Sequence, residues 1–170
     1  MKKIILSIFI LLGLSCQENQ DNIFDNLTIR GGFVEFAKTP TLSFNILDLD
    51  RVEINETILD TNGNTISYDL SVTYEGVTVN NLVSLTSFPA NLVITLPMLL
   101  DAFNLTEGDL TLDSEFSFIA TVTTPTGSFK GDRPKFNTVT KEEEGGNTAS
   151  QLNGASYKPA FIFKLSFFMT

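Results

Sequence analysis

A chain of 170 residues with 20 acidic and 11 basic side chains carries a formal net charge of −9, which argues against nucleic acid and anionic headgroups as partners. It has no histidine, the commonest general base and transition-metal ligand, and no tryptophan, the best flat stacking surface for a sugar ring. Its 15 phenylalanines, with frequent valine, isoleucine and threonine, favour strands around a dry core.

Met1–Cys16 has the order of a secretory signal. Lys2 and Lys3 form a cationic head, Ile4 to Leu12 is apolar apart from Ser7, and Gly13-Leu14-Ser15 leads into Cys16, the only cysteine. The apolar run is about half of what a spanning helix needs, and polar, acidic residues follow it. A cysteine directly after small residues is where bacteria cut and lipidate a lipoprotein. Residues 1–15 therefore read as a lipoprotein leader and Cys16 as the lipidation site. A plain cleaved signal and a spanning anchor are the alternatives. Gly13 stands where lipoprotein signals most often carry leucine, with Leu12 one step further back. A lone cysteine in a secreted chain cannot build an internal disulfide, and a thioether-linked diacylglycerol would mask an exposed thiol. Three acyl chains exceed the two-signal threshold for stable anchoring. The expected partner is a membrane, held through lipid and without a transmembrane segment. Loss of Lys2 and Lys3 with the leader deepens the net charge to about −11.

Residues 16–30 read as the lipidated cysteine and a polar, flexible tether. Gly31-Gly32 opens the folded part, followed by a short strand at Phe33–Phe36 that Pro40 closes. Thr41 to Ile46 alternates, with Leu42, Phe44 and Ile46 on one face. Asp48, Asp50 and Arg51 make a polar turn, and Val52 to Leu59 is the next strand. Asp60-Thr61-Asn62-Gly63-Asn64 is the strongest hairpin signal, because Asn-Gly supplies the positive φ angles of a tight primed turn. The strand after it puts Ile66, Tyr68, Leu70, Val72 and Tyr74 on one face, the alternation of an antiparallel sheet with one wet side. Glu75-Gly76 turns the chain, Val77 to Phe88 holds one or two strands, and Leu92, Ile94 and Leu96 continue the alternation. Pro97 to Phe103 predicts one or two helical turns crossing between sheets, with Pro97 at the first helical position. Ser114 to Thr124 sends Phe116, Phe118, Ala120 and Val122 inward, and Pro125-Thr126-Gly127 turns into a return strand.

Residues 137–156 break the composition. Glu142-Glu143-Glu144-Gly145-Gly146 can bury nothing and predicts a solvated, flexible loop. Residues 157–170 form a strongly apolar C-terminal strand, with Phe161, Phe163, Leu165 and Phe167 on one face and Ile162 and Phe168 on the other. Such a strand either lies centrally in its sheet or begins a further segment cut short after Thr170. The expected fold is all-β: an antiparallel Ig-like β-sandwich of about seven strands over residues 31–136, with one short crossover helix. A small barrel is the alternative.

A family resemblance rests on Gly31-Gly32-Phe33-Val34, Asp60-Thr61-Asn62-Gly63-Asn64 and Thr86-Ser87-Phe88-Pro89-Ala90 before an apolar run. Phe118-Ile119-Ala120-Thr121-Val122-Thr123 and the terminal strand from Ser156-Tyr157 complete it. Together they resemble the N-terminal domain of Bacteroidota surface lipoproteins that accompany Sus-type outer-membrane nutrient transporters. The resemblance implies an Ig-like module, an outer-membrane address with cell-surface exposure, and an accessory role in capturing glycans. It transfers no ligand-binding residue to a numbered position.

Candidate chemistry is sparse. Asp60, Asn62, Asn64 and Asp69 offer oxygen ligands for calcium, but the glycine falls fourth where a calcium loop needs it sixth, and turn chemistry explains the same residues. Asp48, Asp50 and Glu53 could pair as glycosidase carboxylates yet read as solvated acids. Tyr68 and Tyr74 read as core, whereas Tyr157 is placed at a rim. No nucleophile elbow, zinc-protease, phosphate-loop or paired-cysteine motif occurs. The expectation is a non-enzymatic chain without cofactor or metal, binding an oligosaccharide as an accessory module of glycan uptake. The alternative is a structural spacer that docks to a transporter or a partner lipoprotein.

Overall fold

The structure, a computed structural model, describes residues 31–131, 134–136, 138–141, 143–145 and 157–170. The leader, Cys16 and the tether to residue 30 lie outside the described residues, as do Glu142 and residues 146–156. Among the described residues no helix is long and apolar enough to cross a membrane.

The fold is all-β. Strands β1 (Val34–Phe36), β3 (Glu53–Asp60) and β6 (Ala90–Thr95) form one sheet in the order β1-β3-β6. The larger sheet runs β2 (Ser43–Asn45), β11 (Ile162–Phe168), β7 (Glu115–Thr124), β4 (Ser67–Tyr74), β5 (Val77–Leu85). Strand β8 (Gly127–Lys130) also pairs with β7, and β9 (Pro134–Phe136) pairs with β10 (Glu143–Gly145). Alternation drives the layering. In β4 the even-numbered residues Tyr68 to Tyr74 are buried, and in β7 Phe116, Phe118, Ala120 and Val122 are fully buried. They meet Val34, Phe36, Ile54, Ile58, Leu92 and Ile94 of the smaller sheet in one cluster, the packing of a two-sheet sandwich. Tyr68 and Tyr74 belong to that core.

The predicted helix is α1, Leu96–Phe103. Thr95 caps it by accepting from the Met98 amide at 3.5 Å, and Asn104 ends it in the left-handed region at φ 53°. Pro97 is the second helical residue rather than the first, since the helix starts at Leu96. Leu96 and Leu99 anchor it to the core while it carries the chain from β6 of one sheet to β7 of the other.

Register defines two poles. Ser67 faces Thr123 at one, and Thr73 faces Ser117 at the other. The Asp60 loop and Gly31 share the first, joined by a 2.8 Å bond from Asn62 Nδ2 to the Gly31 carbonyl. The helix and Thr170 share the second, where Asn45 Nδ2 donates to Thr170 Oγ1 at 3.2 Å.

Several expectations need correction. Asp60–Asn64 is not a hairpin, because β3 and β4 lie in different sheets and never pair. The loop is held by one side chain: Asp60 accepts the amides of Asn62 (3.2 Å), Gly63 (3.0 Å) and Thr65 (2.7 Å). Gly63, at φ 66°, supplies the positive angle within a crossover. Ile66 sits in that loop and is 53% exposed, not on the inner face. The sheets are not purely antiparallel, since β2 runs parallel to β11. There are eleven strands among the described residues, not about seven, several of only three residues. One of the eleven is the expected return strand, β8, which shares the outer edge of β7 end to end with β11: Glu115–Ile119 pair with β11 and Thr121–Thr124 with β8. Another arises in the acidic stretch, where Glu143–Gly145 is a strand paired with Pro134–Phe136 instead of part of a loop. Strand β11 does lie inside its sheet, between β2 and β7. Its second face needs no cover, for Ile162 and Phe168 are 36% and 40% exposed.

Candidate functional site

The site is built where the first strand meets the lead-in to the last. Gly32 must be glycine here: a Cβ would lie 2.4 Å from Val122 Cγ1 and 3.0 Å from Thr124 Cγ2. That close approach carries the chain over β7 into Phe33, which is 8% exposed, and then into β1. One edge of β1 pairs with β3; the other takes the segment before β11. Phe36 N donates to the Lys158 carbonyl at 2.8 Å, and Ala160 N donates to the Val34 carbonyl at 3.0 Å. The Tyr68 hydroxyl donates to the Ala160 carbonyl at 2.7 Å from inside the core. Burial pushes the pKa of that hydroxyl far up, so it stays a donor throughout the ordinary pH range. Lys158 ties its Nζ to the Ala37 carbonyl at 2.8 Å. These bonds fix the backbone immediately after Tyr157.

Tyr157 itself stands 48% exposed, edge-on to Phe33 with ring centroids 6.3 Å apart. Behind it Phe33 stacks on Phe161 at 6.0 Å, rooting the pair in the core. The two rings, with Gly31, Gly32, Glu35, Thr61 and Asn62, line a cleft of about 320 Å³. Glu35 Oε1 accepts the Thr61 hydroxyl at 3.0 Å, and Asn62 is held by its bond to Gly31. An apolar wall with a few converging polar groups is the usual make-up of a small-molecule site, and the volume falls at the small end of the ~300–1,000 Å³ range.

Of the residues singled out from sequence, Tyr157 and Asn62 come together here. The others do not. Asp69 lies on the outer face of the large sheet, accepting hydroxyls from Ser67 (3.0 Å) and Ser84 (2.6 Å). Asp60 is saturated by its own loop, so the calcium reading has no shared site, and among the described residues no three His, Cys, Asp or Glu side chains gather. Asp48 pairs with Arg51 at 2.8 Å in a short 3-10 turn, and Glu53 accepts from Asn55 Nδ2 at 3.1 Å; these acids do not face each other across a cleft. The Cys16 lipidation site and Glu142 fall outside the described residues. Glu35, Thr61 and Phe33 were missed. No local signal could reveal them, since Glu35 meets Thr61 only through β1 pairing with β3, and Phe33 meets Tyr157 only through a segment more than a hundred residues downstream.

A second hollow of about 440 Å³ lies on the outer sheet face between Ser71, Thr73, Asn80, Ile119, Thr121 and Lys130. Its polar side chains largely satisfy one another: Thr73 and Thr78 hydroxyls bond at 2.8 Å, and Ser71 bonds Asn80 at 3.4 Å. It offers no aromatic wall.

Comparison of the chain with family models, with curated proteins and with solved structures finds no match.

Proposed function

We propose that this chain is a surface lipoprotein of the outer membrane, anchored through Cys16, whose immunoglobulin-like body serves as a non-catalytic glycan-binding accessory module. The observation that carries the binding role is the cleft in which half-exposed Tyr157 stands beside Glu35, Thr61 and Asn62. An aromatic face takes the C–H side of a sugar ring, and carboxylate and carboxamide groups take its hydroxyls. The immunoglobulin-like reading draws support from strand order: β1, β3 and β6 against β5, β4, β7 and β11, with β2 crossing over to run parallel beside β11. The anchor and the address rest on the Met1–Cys16 pattern and on the resemblance described above.

The test is a glycan panel against the full lipidated chain. Saturable binding that Tyr157→Ala weakens at least tenfold supports the module; silence across the panel sinks it. For the anchor, palmitate label should vanish in Cys16→Ala, and label that survives refutes it.

A second reading has its own support. Gly31 and Thr170 lie at opposite poles of the sandwich, the geometry of a spacer that passes the chain straight through. That role predicts co-purification of a transporter or a partner lipoprotein, with no glycan retained.

A further inference from the structure

Resting on the binding reading above, we infer that the Tyr157 cleft selects by charge: it takes a neutral or amine-bearing sugar ring and turns away acidic ones. Among the described residues of the lining, Glu35 is the one charged side chain. One of its oxygens accepts the Thr61 hydroxyl, and its other oxygen has no hydrogen bond among the described residues. A ligand carboxylate or sulfate seated against Tyr157 would meet this like charge with no guanidinium or ammonium among the described lining residues to offset it. Lys158, next to Tyr157, has its Nζ committed to the Ala37 carbonyl, Lys38, three residues after Glu35, pairs with Glu56 at 3.3 Å, and Lys130 lines the separate hollow on the outer sheet face.

Three further features point the same way. The half-exposed ring of Tyr157 carries a negative π-face that attracts a cation and repels an anion, while Phe33, 8% exposed, backs it. The chain as a whole, at −9, lowers the local concentration of anions. The cleft volume of about 320 Å³ leaves little room for a counter-ion beside one ring. Amine preference and acid rejection are therefore two consequences of one carboxylate placed beside one exposed aromatic ring.

The experiment titrates the full chain in detergent with three oligosaccharides of matched length: a neutral glucan, a glucosamine oligomer and a galacturonic acid oligomer. At low salt the glucosamine oligomer should bind about fivefold tighter than the glucan, and the galacturonic acid oligomer at least about tenfold weaker. Raising salt to about 0.5 M should shrink both gaps and leave the glucan unchanged. Glu35→Gln keeps the Thr61 acceptor and should collapse the three affinities to within about twofold. Arg30 precedes Gly31 and lies outside the described residues; Arg30→Gln should leave the preference in place. Acidic oligomer bound as tightly as neutral, or a preference that survives Glu35→Gln or disappears with Arg30→Gln, overturns the inference while the binding reading stands. Binding of none of the three overturns the binding reading itself.

Discussion

The two poles of the sandwich are held together by different means. At the Asp60 pole, and along the seam rising from it, the contacts join parts of the chain that are far apart in sequence. Tyr68 reaches Ala160, Val34 and Phe36 bond the backbone of Ala160 and Lys158, and Asn62 holds Gly31. The helix pole also has long-range contacts, Asn45 with Thr170 and Tyr74 with Ser114, but its helix and the turn after it are closed by local ones. Thr95 caps α1, Leu105 N closes it on the Leu100 carbonyl, and Asp109 holds Thr106. The first arrangement depends on the finished fold, whereas the helix cap and the turn after it close within three residues of themselves. A defect at the seam should therefore weaken the whole molecule, whereas one at the helix pole should be absorbed locally.

The sharpest way to break this contrast compares two glycines. Gly131 donates its amide to the Ala120 carbonyl where β8 gives way to β11 on the edge of β7, and a Cβ there would lie 2.4 Å from the Phe161 carbonyl oxygen. Backbone stands on both sides and cannot rotate away. Gly131→Ala should cost about 3 kcal/mol, read as a lower urea midpoint. Gly108, at the helix pole, meets only Thr106 Oγ1 at 3.7 Å. Gly108→Ala should stay within about 0.5 kcal/mol of the parent. Equal effects would erase the distinction between the poles.

Two tyrosines repeat the comparison at smaller scale. Tyr68→Phe removes the fully buried bond to Ala160 and should cost about 1–2 kcal/mol. Tyr74→Phe removes a 3.2 Å bond to Ser114, whose hydroxyl still takes the Thr111 amide at 2.9 Å. Its cost should be about 0.5 kcal/mol. Loop and cap come next. Asp60→Ala frees three amides of the crossover loop and should cost about 1.5 kcal/mol; Thr95→Ala loses one long cap bond and should cost about 0.5 kcal/mol. Chemical denaturation of the four variants ranks them.

The same division explains what could be read from the sequence. Alternation in Ser67–Tyr74, Glu115–Thr124 and Phe161–Phe167 named the inner face correctly, because one residue step inverts a strand's faces. The helix was legible from Pro97 and its leucines, and Glu75-Gly76, both at positive φ, does form a two-residue hairpin joining Tyr74 to Val77. Asp60–Asn64 has equal turn chemistry and yet joins two sheets. Turn residues specify a local bend; whether the flanking strands pair is settled by which core faces need burying. The cleft was illegible for the same reason. Tyr157 could be placed at a rim from its own position, but Glu35 beside Thr61 requires β1 to pair with β3, and Tyr157 beside both requires the segment before β11 on the other edge of β1. The sharing of β7 between β8 and β11 leaves only Gly131 as its trace, and a glycine before Asp132 reads as an ordinary turn.

The smallest expected effect tests how local the helix pole is. Asp109 is fully exposed, and its carboxyl is held below the ordinary value of 3.8 by the Thr106 hydroxyl and then by the Thr106 amide, which bond Oδ2 at 2.7 and 2.8 Å. A carboxylate whose pKa is lower in the folded chain contributes stability above its unfolded value. The contribution fades as pH falls through the folded value. The difference in melting temperature between the parent and Asp109→Asn should thus be small and constant above the ordinary carboxylate range and fade as pH falls through the folded value. Solvent around the group keeps it below every seam effect. Tyr68→Phe, measured in parallel, should show a deficit that stays flat from pH 3 to about pH 9, since its hydroxyl loses no proton there. If the Asp109→Asn deficit equalled that of Tyr68→Phe, the short turn after α1 would be supporting the core as a whole, and the two poles would no longer differ in kind.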